Sequence, residues 1–273
     1  MGLLVQKASF YAISLETRQL IAKRYHRITK AKNREFWDFK SDSAHSLYVG
    51  SYGRGTAINT SDIDILVELP MSELDRFKFY LSNGPSRLLQ VIRKTIIAVL
   101  PNSDIRADGQ IVKVNFCDGI KFEIVPAFKE KDYLGISTGF TYPDSNMGGN
   151  WKATNPKEEQ VTMGIKNIQS NNLLYATCKH FRYVRDTEFK SYHLSGIVID
   201  SFVHSAIGDW KYVNNDGSEQ GENLGEYEKM LLNYFDSHNI LGSLSLYSPG
   251  SNQFVDTKNS IICLEKVLKK IAL

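Results

Sequence analysis

Cysteine is scarce in this chain of 273 residues: Cys117, Cys178 and Cys263 stand far apart, with no Cys-x-x-Cys pair. That argues against a disulfide framework and a cysteine zinc site, and it fits a reducing, cytoplasmic setting. No run approaches the 18 or more apolar residues of a membrane span, so no membrane partner is expected. Residues 1–6 lack a basic region, and Lys7 interrupts the apolar stretch, so secretion is not expected. Gln6 also departs from the myristoylation pattern. Internal repeats and low-complexity tracts are absent. The histidines His26, His45, His180, His193, His204 and His238 make no pair at metal-ligand spacing and read as core or surface residues. Trp37, Trp151 and Trp210 read as packing. Net charge is only +3, too small to mark a nucleic-acid binder by itself. The sequon Asn59-Thr60-Ser61 is accidental in a cytoplasmic protein.

What is present is ordinary for a globular protein: 42% apolar and 23% charged residues, enough chain for one large or two moderate domains. Residues 14–40 read as a long helix with Ile21, Tyr25 and Ile28 on its apolar face. A second helix is expected over 85–100, with Pro85 near its start. Residues 135–160, rich in Gly, Asn, Pro, Ser and Thr, read as a connector between lobes. From about 157 the pattern is helical. Leu174, Cys178, Phe181 and Arg185 fall at near-helical spacing, and Ile261, Leu264, Leu268 and Ile271 mark a final helix. Residues 211–223 read as a surface loop.

The informative stretch lies between Gly50 and Asp64. A short strand over 45–49 runs into Gly50-Ser51 and then Tyr-Gly-Arg-Gly. Glycines admit close backbone approach, and successive N–H groups make an anion nest. Arg54 is either a phosphate clamp or a surface charge. Asp62-Ile-Asp64-Ile-Leu-Val67 reads as a strand, so Asp62 and Asp64 share one face. Paired carboxylates resist joint ionisation, and a hard dication between them removes that conflict. Two such ions can stabilise both oxygens of an in-line displacement. Either motif alone carries little. In this order they point to metal-dependent nucleotidyl transfer.

A third carboxylate comes from a hairpin. Residues 110–116 alternate as a strand, Asp118-Gly119 is a turn signal, and 121–125 return, closed by Pro126. Glu123 lies in this apolar strand. It is either a metal ligand, which offsets the cost of burying an acid, or a residue facing water from an edge.

Gly50-Ser51, Asp62-Ile-Asp64 and the later Phe-Glu-Ile-Val-Pro resemble the DNA polymerase β-type nucleotidyltransferase superfamily. Asp108-Gly-Gln-Ile-Val-Lys-Val, Tyr142-Pro-Asp, Gly148-Gly-Asn-Trp151-Lys and Thr154-Asn-Pro-Lys-Glu158 follow in order. The whole string, from about Arg24 to the C-terminus, resembles the bacterial cGAS/DncV-like nucleotidyltransferases (CD-NTases), most of all their E clade. Glu at the third acidic position departs from the Asp commoner in the superfamily.

The resemblance implies an α/β (α+β) fold: a polymerase β-like lobe with a mixed sheet over 1–150 and a helical lobe over 151–273, with the active site in the cleft between them. It implies that Asp62, Asp64 and Glu123 bind two Mg²⁺ ions, with Mn²⁺ as a substitute. Gly50 and Ser51 would hold the donor triphosphate, Lys179 and Ser191 would touch phosphates, and Tyr192 would stack on a base. Nucleoside triphosphates, ATP among them, would be joined into a cyclic oligonucleotide that triggers an antiphage effector.

Residues 18–34 carry seven Lys or Arg and no acid. Lys23, Arg27, Lys30 and Arg34 fall on one helix stripe, which is either a solvated face or a footprint for an activating RNA. Two other readings compete with cyclisation. The same site could make a linear product, or modify a small molecule, RNA or protein. Alternatively the chain could be a catalytically weak RNA-sensing module, although all three carboxylates and the Gly-Ser turn are present.

Overall fold

The computed structural model describes residues 11–80, 83–212 and 225–273. The chain divides into two compact units. One comprises Ser14–Gly53 and Asp62–Pro156. The other takes Arg54–Ser61 and Lys157–Leu273 together with the chain up to Ile13.

The first unit opens with helix α1 (Leu15–Phe36). Its start is set by Ser14, whose side chain accepts from the Thr17 N–H at 3.1 Å, and by Glu16 in the first turn. Ile21, Tyr25 and Ile28 are buried on one face. The helix stops short of residue 40. Asp38 takes a positive φ, and the Asn33 side chain donates to Ser41 O at 2.9 Å and Ala44 O at 2.8 Å, folding the chain back.

Next come β1 (Ser46–Tyr48), a single helical turn α2 (Gly50–Gly53) and β2 (Ile63–Leu69). Helices α3 (Met71–Lys78) and α4 (Gly84–Val99) follow, then β3 (Asp104–Asp108), β4 (Ile111–Asn115) and β5 (Lys121–Lys131). The last strands of the unit are β6 (Ser137–Asp144) and β7 (Asn150–Thr154). They form one mixed sheet in the order β1-β2-β5-β4-β3. β2 and β5 run parallel, and the other pairs are antiparallel. Helices α1 and α4 pack on each other and on the sheet.

Two expectations are corrected here. The 135–160 segment is no plain connector. β6 pairs with the second half of β5 and β7 with β6, despite a composition typical of loops. Nor does Pro126 close its strand, since β5 runs on to Lys131. Pro126 falls in the gap between the β4 register, which ends at Ile124, and the β6 register, which begins at Phe128. Its missing N–H therefore interrupts no ladder on that side.

The second unit holds α5 (Pro156–Gln169), nearly all within it, then α6 (Leu173–Glu188), α7 (Gly196–Ala206) and α8 (Glu226–His238). A two-strand ribbon of β8 (Leu246–Tyr247) and β9 (Phe254–Val255) precedes α9 (Ile261–Ile271). Leu174, Cys178 and Phe181 of α6 join Leu264, Leu268 and Ile271 of α9 in its core. Most of the expected 211–223 loop lies outside the described residues. Tyr212 at its start is buried, with its N–H donating to Ser170 O at 3.2 Å. All three cysteines are free, Cys117 exposed and the other two buried. Among the described residues no helix is long and apolar enough to cross a membrane.

Candidate active site

Two neighbouring strands of the sheet unit bring the acidic residues together. Ile63, Ile65, Val67 and Leu69 of β2 are buried, and Leu66 packs with Val49, Ala127 and Phe140 on the opposite face. Asp64 shares that second face and is half-buried, while Asp62 sits exposed just ahead of the strand. In the parallel β2–β5 pairing Asp64 is in register with Glu123, so their side chains stand about 5 Å apart on neighbouring strands. β5 lies between β2 and β4, which rules out the edge-strand reading of Glu123.

Gly50 adjoins this pair. The Val49 N–H donates to Asp64 O at 2.9 Å, binding the turn to β2. Gly50 has φ +58°, and a Cβ there would overlap the Asp64 carboxylate. Only glycine meets both demands. Ser51 follows, half-buried.

The carboxyl of Glu123 is held above its usual range, first by burial and then by the Asp62 carboxylate; the nearby Lys113 ammonium opposes the rise. A hydrogen bond with Asp64, which requires one proton shared between the two acids, also opposes the rise. This is like-charge crowding, the condition that a dication relieves. Among the described residues no group of three or more His, Cys, Asp or Glu forms a ready cage for a metal. Mg²⁺ is commonly held by one or two carboxylates with substrate phosphates completing its shell. The all-oxygen donors at Asp62, Asp64 and Glu123 fit such an ion, one whose coordination a polyphosphate completes.

The other expected site residues belong to the helical unit. Lys179 is half-buried on α6. Ser191 and Tyr192 are exposed after its end, and the Tyr192 N–H donates to Phe189 O at 2.9 Å. The Tyr192 ring packs edge-on against Phe189 and lies under the Lys266 ammonium, 4.8 Å from its centroid. Arg54 is neither of the things foreseen for it. It is buried, and its guanidinium donates to Asp200 and Glu159, each at 2.8 Å.

On α1, Lys23, Arg27, Lys30 and Arg34 are all exposed, and none forms an ion pair among the described residues. Two of the seven basic residues leave that surface. Arg24 binds Asp118 in a two-bond pair, at 2.7 and 3.1 Å. Lys32 is 3% exposed and donates to Asn33 Oδ1, His45 O and Glu68 O; burial lowers its pKa to about 7.

Lys113 and Asp108 stand in the string that carries the family resemblance, but sequence reasoning gave them no role. Lys113 is the direct cross-strand partner of Glu123, and its Nζ donates to Asp108 at 2.8 Å. The alternation of β4 could have placed Lys113 on one face, but only strand register sets it opposite Glu123. Asp200 also escaped notice, because its partner Arg54 is distant in sequence.

The family profile described as Second Messenger Oligonucleotide or Dinucleotide Synthetase domain matches residues 8–167, more than half of the chain. No curated protein matches. Among solved structures, the CdnE c-UMP-AMP synthase of Rhodothermus marinus aligns with TM-score 0.65 at 15% identity, over 99% of this chain and 94% of that one. The CdnE cyclic dinucleotide synthase of Elizabethkingia meningoseptica aligns with TM-score 0.62 at 15% identity, over 94% and 91%. The DncV cyclic AMP-GMP synthase of Vibrio cholerae aligns with TM-score 0.57 at 14% identity, over 98% and 76%. At such identities the likeness is one of fold.

Proposed function

The chain belongs to the Second Messenger Oligonucleotide or Dinucleotide Synthetase family of nucleotidyltransferases, and on that premise we propose that it joins nucleoside triphosphates, ATP among them, into a cyclic oligonucleotide. The observation that carries the reading is the register of Asp64 with Glu123 beside the close-approaching Gly50. In this reading Gly50 and Ser51 bind the phosphates of the donor. Asp62, Asp64 and Glu123 hold Mg²⁺, or Mn²⁺ in its place. When bound, the two ions supply Lewis-acid charge at the attacking and leaving oxygens. Asp64 or Glu123 accepts the proton of the acceptor ribose hydroxyl, which attacks the donor α-phosphate. The Pα–O bond to pyrophosphate breaks, and pyrophosphate leaves. A second displacement closes the ring. Lys179 and Ser191 contact phosphate, and Tyr192 stacks on a base.

The E-clade resemblance extends the proposal to cytoplasmic antiphage signalling through an effector that reads the product. The exposed stripe Lys23, Arg27, Lys30 and Arg34 supports an RNA activator, since four cations without ion-pair partners among the described residues suit a phosphate backbone.

The test is to incubate the protein with all four triphosphates, one α-labelled at a time, with Mg²⁺ or Mn²⁺, with and without structured RNA. A phosphatase-resistant product lost in the Asp62→Ala, Asp64→Ala double variant is expected. A phosphatase-sensitive product would favour linear transfer. RNA binding without triphosphate consumption would favour a sensing module. Reversing Lys23, Arg27 and Lys30 to Glu is expected to remove any RNA dependence while sparing the fold; unchanged RNA activation would refute that part.

A further inference from the structure

Lys113 and Asp108 belong to a motif that the proposed reaction leaves without a role. Across the sheet, Asp64 of β2, Glu123 of β5 and Lys113 of β4 occupy successive register positions, and Arg106 of β3 continues the row. Direct partners on neighbouring strands stand about 5 Å apart at Cβ, so the lysine stem begins beside the acidic pair. Arg106 contributes little charge to the row, because its Nε donates to Asp104 at 2.9 Å at an exposed position.

The Lys113 ammonium does not sit on Glu123. It sits on Asp108 at 2.8 Å, with both side chains partly exposed. The turn that follows Asp108 at the end of β3 is held by its backbone. The following Gly109 takes φ +59°, and its carbonyl accepts from Ser145 N at 2.9 Å and Ser145 Oγ at 2.7 Å. Gln110 in the same turn donates to Asp144 at 3.1 Å. The Asp108 carboxylate, carried beside this turn, thus draws the ammonium away from the acidic trio. The positive charge remains close enough to act on Glu123; Asp108 chiefly, and Glu123 and Asp62 after it, favour its charged form.

We infer that Lys113, positioned by Asp108, is the standing counter-charge of Asp62, Asp64 and Glu123. It weakens their hold on a free dication, so that the ion is retained only together with a polyphosphate. This rests on the dication reading proposed above. Its physical basis is Coulombic. A fixed positive charge about 6 Å from a dication opposes binding without filling the site, an effect of roughly tenfold at the dielectric of water, which the environment of this partly exposed ammonium approaches. Asp108 acts in the opposite sense, by keeping the ammonium from leaning onto Glu123.

Nucleotide-free Mn²⁺ titration of the full chain by calorimetry tests this, with melting in chelator as a check on folding. Lys113→Met is expected to bind Mn²⁺ roughly tenfold more tightly than the unaltered protein. It should also gain more melting temperature from added Mn²⁺. Lys113→Gln should repeat the effect, and Asp108→Asn should weaken binding. Unchanged or weaker binding in both Lys113 variants, with binding still lost in Asp64→Asn, overturns the inference and leaves the dication reading intact. Binding that Asp64→Asn does not reduce overturns the dication reading, and so does no binding in any variant even with a non-hydrolysable triphosphate. The inference then falls with it.

Discussion

Asp200 in the helical unit and Glu123 in the sheet unit are acids in opposite surroundings. In the helical unit Asp200 is fully buried, and burial alone would push its carboxyl up. Arg182 and Arg54 outweigh that and hold it below the ordinary range. Arg182 donates to both of its oxygens, at 2.7 and 2.9 Å, and the Thr56 hydroxyl adds a bond at 3.0 Å. In the sheet unit Glu123 is half-buried among other carboxylates, with Lys113 drawn aside to Asp108, and its carboxyl is pushed up. An acid ringed by guanidinium groups has its charge committed to the fold. Acids crowded against each other keep theirs available for an incoming cation, at some cost to stability.

That contrast breaks most sharply at the reacting residues. Asp64→Asn is expected to lower nucleotidyl transfer by roughly 10³-fold or more, since a metal site is worth several kcal/mol at the transition state. Its melting temperature should hold or rise, because a crowded charge is gone. A steep loss of stability would mean that Asp64 serves the fold instead.

Asp200→Ala should do the reverse. It leaves Arg182 and Arg54 buried without their carboxylate and is expected to cost about 3–5 kcal/mol in denaturant unfolding. A cost near zero would mean that this network is no more structural than the acidic trio.

A smaller effect separates the units by pH. His180 in the helical unit is 5% exposed, its Nε2 has no hydrogen-bond partner among the described residues, and burial lowers its pKa to about 4. The unfolded chain binds this proton near pH 6.5 and the folded chain only near 4. Its contribution is therefore present above pH 6.5 and lost as pH falls through 4, about 3 kcal/mol in all. His180→Leu should flatten that part of the stability profile between pH 7 and 4. An unchanged slope would place the acid sensitivity elsewhere.

Gly50→Ala sharpens the comparison least in energy but most locally. A left-handed Ala costs about 1–2 kcal/mol, and its methyl displaces the Asp64 carboxylate. Activity should fall further than stability does. Equal losses would argue that Gly50 is needed for its conformation alone.

Much of this was legible from pattern. Alternation located β2 and the β4–β5 hairpin, and helical spacing located α1, α4, α6 and α9. Composition misled at β6 and β7, where Gly, Asn and Pro suggested a loop and pairing with β5 overrode propensity. Short α3, directly after β2, was not foreseen. Arg54 could not be assigned, because the bonds that bury it come from residues 105 and 146 positions away.

By itself, the sequence determined which residues could carry the chemistry: two aspartates with a shared face, a glutamate in an apolar strand, and a glycine-serine turn before them. These follow from local periodicity and backbone freedom, which neighbours in the chain set. The tertiary structure decided which acids meet and which stand apart. The parallel register of β2 with β5 brought Asp64 to Glu123, and the antiparallel register of β4 set Lys113 opposite it. Strand register depends on packing across the whole sheet, and a shift of one residue would turn every one of these side chains to the other face.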